Sequence, residues 1–350
     1  MACYRIRWKD LAVVECEGKS CRKSRIKFPE AVGVVQLFRR NGNLELIRDG
    51  SFLKGGFCNG KTIGKRIDVL PDGVKLNRGF SLFAPNLMIH DEKSHGHWDV
   101  IFENPNGEFC YLYNLDKIKN SKDKKYALVD RFEGCLPRLK KNLLRALDED
   151  CDNALVLAML VLLKTKMRVG SEIYYRRNRH KGLTTLKKKD LKIIRDKVVF
   201  DFIGKDGVPQ HIEERFVEKV LNQLKRVLKE KGQDDFVFLN SKGGILKDTD
   251  FEIGFEKFCG ERFYPHIVRS HFATREVERF LRRCEIGDAK SEMTKKFCLK
   301  LASELGHKKF SKKSGIWENS YEVTLHHYVR PDLVEQLIGK NHPLCLKNSI

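Results

Sequence analysis

The sequence predicts an α+β fold in which an N-terminal β-rich domain precedes a mostly helical domain carrying a small β-hairpin sheet. Three observations lead there. Through about residue 115, short apolar runs are broken by Gly and Asn. From Tyr126 onward, apolar residues recur at helical spacing. Between the two lies NLDKIKNSKDKK (residues 114–125), polar and lysine-rich, with the composition of a linker. The domains are therefore placed at residues 1–118 and 119–350. A chain of 350 residues accommodates two such domains, and 41% hydrophobic with 10% aromatic residues describes a chain that folds.

In the first domain VGVVQLF and LELI read as strands. WDVIF and EFCYLY read as a hairpin around Asn104-Pro105-Asn106-Gly107, whose Asn-Gly pair suits a turn needing positive φ. The second domain opens with two helical patterns, LPRLKKNLLRAL and ALVLAMLVLLKTKM. The latter is apolar nearly all round and belongs at the centre, with Asp148, Glu149, Asp150 and Asp152 suited to cap its start. DLKIIRDKVVFDFIGKDGVPQHIE returns to β as two strands joined at Gly204-Lys205-Asp206-Gly207. FVEKVLNQLKRVLKE, FEIGFEKFCG, VRSHFATREVERFLRRC and EMTKKFCLKLASELG resume the helical period.

Sixty-eight Lys and Arg against 47 Asp and Glu leave a formal charge of +21, which calls for a polyanionic partner, nucleic acid first. Arg176, Arg177, Arg179, Lys187 to Lys189 and the Lys308–Lys313 run suit phosphate contacts that position a duplex without reading its sequence. The eleven cysteines form no CxxC pair or Cys/His cluster, and the chain starts without a secretory pattern. They read as reduced thiols in an intracellular, DNA-associated setting, with the Cys16–Cys21 spacing a coincidence. The longest apolar run, Ala154 to Leu163, is about half a membrane span, so no membrane partner is expected. With no P-loop and no carboxylate cluster of metal-binding type, neither cofactor nor metal is expected.

Six segments of the second domain stand in a telling order: KYALVDRFEGCLPRLKKNL, MRVGSEIYYRRNRHKGLTTLKKKDLKI, FDFIGKDG, HIVRSHFAT, ELGH and HYVRPDLVEQL. Each alone is weak. In this order they resemble the type IB DNA topoisomerases of the poxvirus and bacterial kind, relatives of the tyrosine recombinases, over roughly residues 110 to 337, about two-thirds of the chain. The first ~100 residues are only vaguely similar to that family's DNA-clamping β domain. The resemblance implies a clamp on double-stranded DNA that works as a monomer. A tyrosine would cut one strand, stay on the 3′ phosphate, and rejoin it after the free end swivels, without ATP or metal. It leaves the host open, with a virion setting if the source is viral.

The residues have their own chemistry beside that resemblance. A phosphodiester under attack gathers negative charge on its non-bridging oxygens. Guanidiniums, always protonated and forked, match that geometry, and Arg168 and Arg269 fit the role. Taken singly, either is an ordinary ion-pair former. Lys205, at the tip of the hairpin between Gly204 and Gly207, fits a general acid for the departing 5′ oxygen; outside this series it is a solvated turn lysine. His307 follows the helix-ending Gly306 and fits a donor to a non-bridging oxygen. His266 and Arg269 form His-x-x-Arg, the recombinase arrangement, where the topoisomerases usually carry lysine, and His266 suits a phosphate bond or a proton relay. Thr184 and Thr185 are read as phosphate donors or as loop caps.

The tyrosine departs from the pattern. In the family it follows the His/Asn position by about nine residues, which here lands on Ile316. Tyr328, about 20 residues after His307, has the family-like context Tyr-Val-Arg-Pro; Tyr321, in NSYEV, has the better spacing and the poorer context. Tyr328 is the nucleophile of choice, and whichever tyrosine works must reach the cationic cluster, since a phenol of pKa ~10 is feeble unaided. Two rival readings stay open: a tyrosine recombinase or integrase, and a catalytically inactive DNA-binding relative.

Overall fold

The computed structural model describes residues 3–18, 20–90, 98–150, 152–283 and 292–339. The fold is α+β, in two compact units that divide at Lys124 and Lys125.

In the first unit, strands β1 (Cys3–Ile6), β2 (Val13–Glu17) and β3 (Ser20–Lys23) precede helix α1 (Pro29–Arg40). After these come β4 (Arg48–Asp49), β5 (Phe52–Leu53), β6 (Gly56–Cys58), β7 (Lys61–Ile63), β8 (Ile67–Val69), β9 (Lys75–Phe80), β10 (Met88–Ile89), β11 (Val100–Glu103) and β12 (Phe109–Leu112). The largest sheet runs β3-β2-β1-β6-β7 and a second runs β10-β11-β12. The β11–β12 hairpin turns where expected, with Gly107 at φ 78° and its N–H on the Asn104 carbonyl at 2.9 Å. Two expectations fail here. VGVVQLF lies in α1, because Ala31, Val34, Val35 and Phe38 bury one helical stripe behind an N-terminal Pro29. LELI is a 3-10 turn rather than a strand.

The cysteines also depart from expectation. Cys3 is bonded to Cys58 and Cys16 to Cys21, each pair directly opposed on neighbouring antiparallel strands. Strand pairing sets such neighbours, and a spacing of 55 residues in the chain conceals the first of them. The pairing also removes the argument from cysteine usage to an intracellular setting. Cys110, Cys135, Cys259 and Cys298 are free thiols.

Of residues 114–125, expected as linker, all but Asn114 belong to the start of helix α2 (Leu115–Glu149). The Asn114 side chain accepts the Lys117 N–H at 2.6 Å and starts the helix, and lysine is a good enough helix former to continue it. Helix α3 (Ala154–Thr165) is buried nearly all round at the centre of the second unit; Asn153, not the neighbouring aspartates, is its N-cap, accepting from the Val156 N–H at 3.2 Å. Helix α4 (Glu172–Asn178) follows, and then a sheet of three strands rather than two: β13 (Leu191–Ile194), β14 (Lys197–Ile203) and β15 (Pro209–Arg215). Arg195, at φ 56°, makes the extra turn.

Helices α5 (Glu218–Lys229), α6 (Asp248–Cys259), α7 (Ile267–Arg283) and α8 (Glu292–Glu304) match the sequence pattern. The stretch between His307 and Tyr328 folds as a hairpin, β16 (Lys308–Phe310) with β17 (Trp317–Asn319), before α9 (Glu322–Tyr328) and α10 (Pro331–Ile338). The hairpin accounts for the long spacing, because its ends return to the same place: the Ser320 N–H bonds the His307 carbonyl at 3.1 Å. Among the described residues no helix is long and apolar enough to cross a membrane.

Candidate active site

The site is assembled from backbone turns. Gly170, at φ 100°, lets the chain leave Arg168 and fold against Gly182, where an added Cβ would sit 2.6 Å from the Arg168 carbonyl. Leu183 and Thr184 then donate their N–H groups to the carbonyls of Arg168 and Val169 at 2.8 and 2.7 Å. The Arg-Val-Gly and Gly-Leu-Thr-Thr-Leu segments are thus one unit that fixes the base of Arg168. Thr184 and Thr185 are fully buried and bond the Val169 and Gly182 backbone, so they cap the loop and do not face a phosphate.

Arg269 enters from the first turn of α7 and is 3% exposed. Its terminal nitrogens donate to the carbonyls of Lys166 and Leu305, which close α3 and α8 and lack helical partners. One of them also meets His307 Nε2 at 2.9 Å. The Nε of Arg269 is buried with no partner, a donor that a phosphate oxygen would satisfy. Burial draws its pKa down to about 10, which leaves it charged at neutral pH.

His307 stands where α8 stops. Gly306, at φ 65°, turns the chain, and Gln210 from β15 packs so closely that any side chain at 306 would strike it; Gln210 donates to the Gly306 carbonyl at 3.0 Å. The ring of His307 is 5% exposed, and burial, then the charges of Arg269 and Arg168, hold its pKa down to about 2. Guanidiniums only donate, so Nε2 accepts and Nδ1 carries the proton toward Thr324 Oγ1 at 2.7 Å. Thr324, fully buried on α9, can also donate, and so supports the other tautomer in which Nε2 becomes the donor.

Tyr328 closes α9 and is 5% exposed. Its Oη accepts from Arg168 at 3.3 Å, and the Arg269 guanidinium lies 5.1 Å from its ring centre. His307 tilts against the ring at 4.9 Å and His266 stacks beside it at 6.2 Å. Burial raises the phenol's pKa, but Arg269 and Arg168 together outweigh it and leave the pKa below its ordinary value. Tyr321 sits half-buried at the start of α9, packed on the apolar cluster of Leu325, Val329 and Leu333.

Lys205 lies in the β14–β15 turn, exposed, with Asp206 and Gly207 both at positive φ. It shares a narrow cleft of about 20 Å³ with Arg168 and Arg269, and its charge reaches His266. Lys181, in the same cleft, is committed to both oxygens of Asp190 at 2.7 and 2.8 Å. The pKa of His266 is held down to about 4 by the surrounding protein and by Arg269, Arg168, Lys125 and Lys205. Since the ring keeps solvent access, the cationic neighbours are the firmer cause. A cavity of about 360 Å³ opens beside Tyr328, between His266, Ser270, Tyr264 and Asp248.

All six residues singled out in the sequence therefore line this one region. Sequence reasoning missed Thr324, Lys125, Tyr126 and Thr274, the last three of which bond the tyrosine segment's backbone. Lys125 and Tyr126 were inside the KYALVDRFEG motif but carried no chemical signal of their own.

Tyr328 on α9 and Arg269 on α7 meet Arg168 and His307 from the turns that follow α3 and α8, with the Lys205 hairpin beside them, an arrangement that resembles the one anticipated from the motifs of the topoisomerase and recombinase superfamily. Within it the chain belongs to the type IB topoisomerase family: the family described as eukaryotic DNA topoisomerase I, catalytic core, matches residues 116–320. That stretch holds Arg168, Lys205, His266, Arg269 and His307 and stops short of both tyrosines. The DNA topoisomerase 1B of Acanthamoeba polyphaga mimivirus is 27% identical over 168 residues, 45% of this chain and 49% of that one. The DNA topoisomerase 1B of Vaccinia virus (strain Western Reserve) is 25% identical over 138 residues, 38% of this chain and 43% of that one. The chain thus spans about half the length of the curated relatives it matches. Among solved structures, XerH recombinase bound to difH aligns at TM-score 0.33 and 18% identity, covering 49% of this chain and 46% of that one.

Proposed function

We propose that this protein relaxes supercoiled duplex DNA by cutting and rejoining one strand at a time through Tyr328, as a type IB topoisomerase. The observation that carries the reading is the Tyr328 Oη within 3.3 Å of Arg168, over the buried pair Arg269 and His307.

In the forward step Oη attacks phosphorus, a phosphotyrosyl bond forms to the 3′ phosphate, and the bond to the 5′ oxygen breaks. The phenolic proton leaves to solvent through the cavity beside Tyr328, the neutral imidazole of His266 bonds a phosphate oxygen, and Lys205 gives a proton to the departing 5′ oxygen. Arg168, the free Nε of Arg269, and His307 in its Nε2–H tautomer bind the non-bridging oxygens as charge develops there. Rejoining is the reverse, and the covalent bond conserves the energy of the cut, so neither ATP nor metal is called for. The β-rich unit and the basic surface segments serve duplex binding, by a monomer. His266-x-x-Arg269 favours the recombinase reading as the alternative.

Supercoiled plasmid incubated with the protein and EDTA should relax. Tyr328→Phe should lower relaxation by more than about a thousandfold, while Tyr321→Phe should relax at the normal rate. Mass spectrometry of the peptide left on a suicide duplex should place the adduct on Tyr328. Relaxation that survives Tyr328→Phe and is lost in Tyr321→Phe sinks the assignment. Binding without relaxation favours an inactive relative, and strand exchange between paired sites favours a recombinase.

A further inference from the structure

Helix α9 ends at Tyr328 without the usual left-handed turn: Val329 is extended at φ −106°, and Pro331 starts the next helix two residues on. The carbonyls of residues 327 to 329 therefore have no helical partners ahead of them. Three side chains from two other helices take them up in succession. Lys125 Nζ donates to the His327 carbonyl, Thr274 Oγ1 to the Tyr328 carbonyl at 3.2 Å, and Tyr126 Oη to the Val329 carbonyl at 2.6 Å. Thr274 is fully buried and Tyr126 is 7% exposed, so two of these bonds are shielded from water. The next residue, Arg330, is tied to Glu278 at 3.3 Å and to Asp332 at 2.9 Å.

Three bonds to consecutive carbonyls, from α2 and α7, fix both the place and the tilt of the Tyr328 backbone. Thr274 shares α7 with Arg269, so one helix holds the main chain of Tyr328 while it also sets a guanidinium against the ring. A terminal carbonyl at the end of an ordinary helix needs only water. These three are met by side-chain donors from two other helices, two of them buried, which is the provision expected where a side chain must stay within about half an ångström of one position.

We propose that Lys125, Tyr126 and Thr274 are positioning residues that use the protein's own contacts to hold the Tyr328 phenol against Arg168 and Arg269. The proposal rests on the reading of Tyr328 as nucleophile. Its consequence is that the rate of the first cleavage depends on these donors while DNA affinity does not.

The test uses the full chain and a suicide duplex whose short 5′ strand leaves after cleavage. Tyr126→Phe and Thr274→Val should each cut roughly 10- to 100-fold more slowly in a single turnover, with unchanged duplex affinity. Thr274→Ser, which restores the donor, should return most of the rate. A second readout needs no turnover. The ultraviolet titration of the phenol, taken as the difference between each protein and the same protein carrying Tyr328→Phe, should move upward in both variants as the ring leaves the guanidiniums.

Variants that cut at the normal rate overturn the proposal, as does a Thr274→Ser protein no faster than Thr274→Val, or a parallel loss of rate and affinity. If Tyr328→Phe still forms the adduct, the nucleophile assignment fails by itself. The titration then decides the clamp alone: an unmoved phenol overturns it and a shifted one supports it.

Discussion

The two sides of the site are built differently. Arg269, His307 and Thr324 are buried and bonded in a chain, and the buried Tyr328 ring packs against the first two. Lys205 stands at the tip of an exposed hairpin whose two strands are fixed to one another while its turn faces solvent. On the proposed mechanism, charge stabilisation and attack are prepared by folding, whereas the acid is a side chain that the fold leaves exposed. Preorganised donors lose no reorganisation energy when charge develops, and a lysine on a flexible stem can follow a leaving oxygen as it departs.

The sharpest way to break the contrast is Arg269→Ala. It removes the charge on the phosphate side and leaves the Lys166 and Leu305 carbonyls buried without a donor. Cleavage should fall by more than about a thousandfold, and stability should fall by roughly 2–5 kcal/mol in urea denaturation. Arg269→Lys should recover little of either, because an ammonium cannot reach two carbonyls and an imidazole at once. A variant with normal stability and slow cleavage would mean that the buried side is chemical only and not part of the fold.

Lys205→Ala tests the other side. Its urea midpoint should be unchanged, while cleavage of an ordinary duplex should fall roughly 10²- to 10⁴-fold. A substrate with sulfur in place of the departing 5′ oxygen needs no proton, and on it the variant should cut as fast as the unaltered protein. An equal defect on both substrates would assign Lys205 to phosphate binding instead of proton donation.

The same contrast explains what the sequence made legible. Arg168, Lys205, His266, Arg269, His307 and Tyr328 stood out because the segments that carry them resemble a known family in the same order, although each taken singly looks ordinary, and the structure gathers them. The residues that hold them in place do not stand out. Tyr126 and Thr274 look like any core aromatic and any helical threonine, since their task is to bond a carbonyl about 200 and about 50 residues away. The misread elements failed for local reasons: β-branched valines disguised the helical stripe of α1, and lysine density disguised the start of α2. The Cys3–Cys58 pair depended on the order of strands in a sheet, which no local pattern contains.

The smallest expected effect concerns acid. The pKa of His307 is held to about 2 and that of His266 to about 4, both below the 6.5 of an unburied histidine. The unfolded chain therefore binds protons that the folded chain refuses. The stability tied to these rings is complete above about pH 6.5 and is lost as pH falls toward the folded values. His271, lowered by burial, adds to the trend. His211, raised by Asp201, opposes it, because its contribution is present in acid and fades as pH rises. Carboxylates such as Asp10, Asp49 and Glu133, all lowered by basic partners, act mainly below about pH 4.5. Between about pH 6.5 and 4.5 the slope of stability against pH therefore reports mainly on histidines. His307→Asn should flatten that slope by up to roughly one proton's worth, about 1.4 kcal/mol per pH unit, and His266→Asn should flatten it less, since its ring keeps access to water. Equal slopes in all three proteins would show that His307 is not held neutral by burial and the arginines, and that the buried side of the site is more open to water than its packing implies.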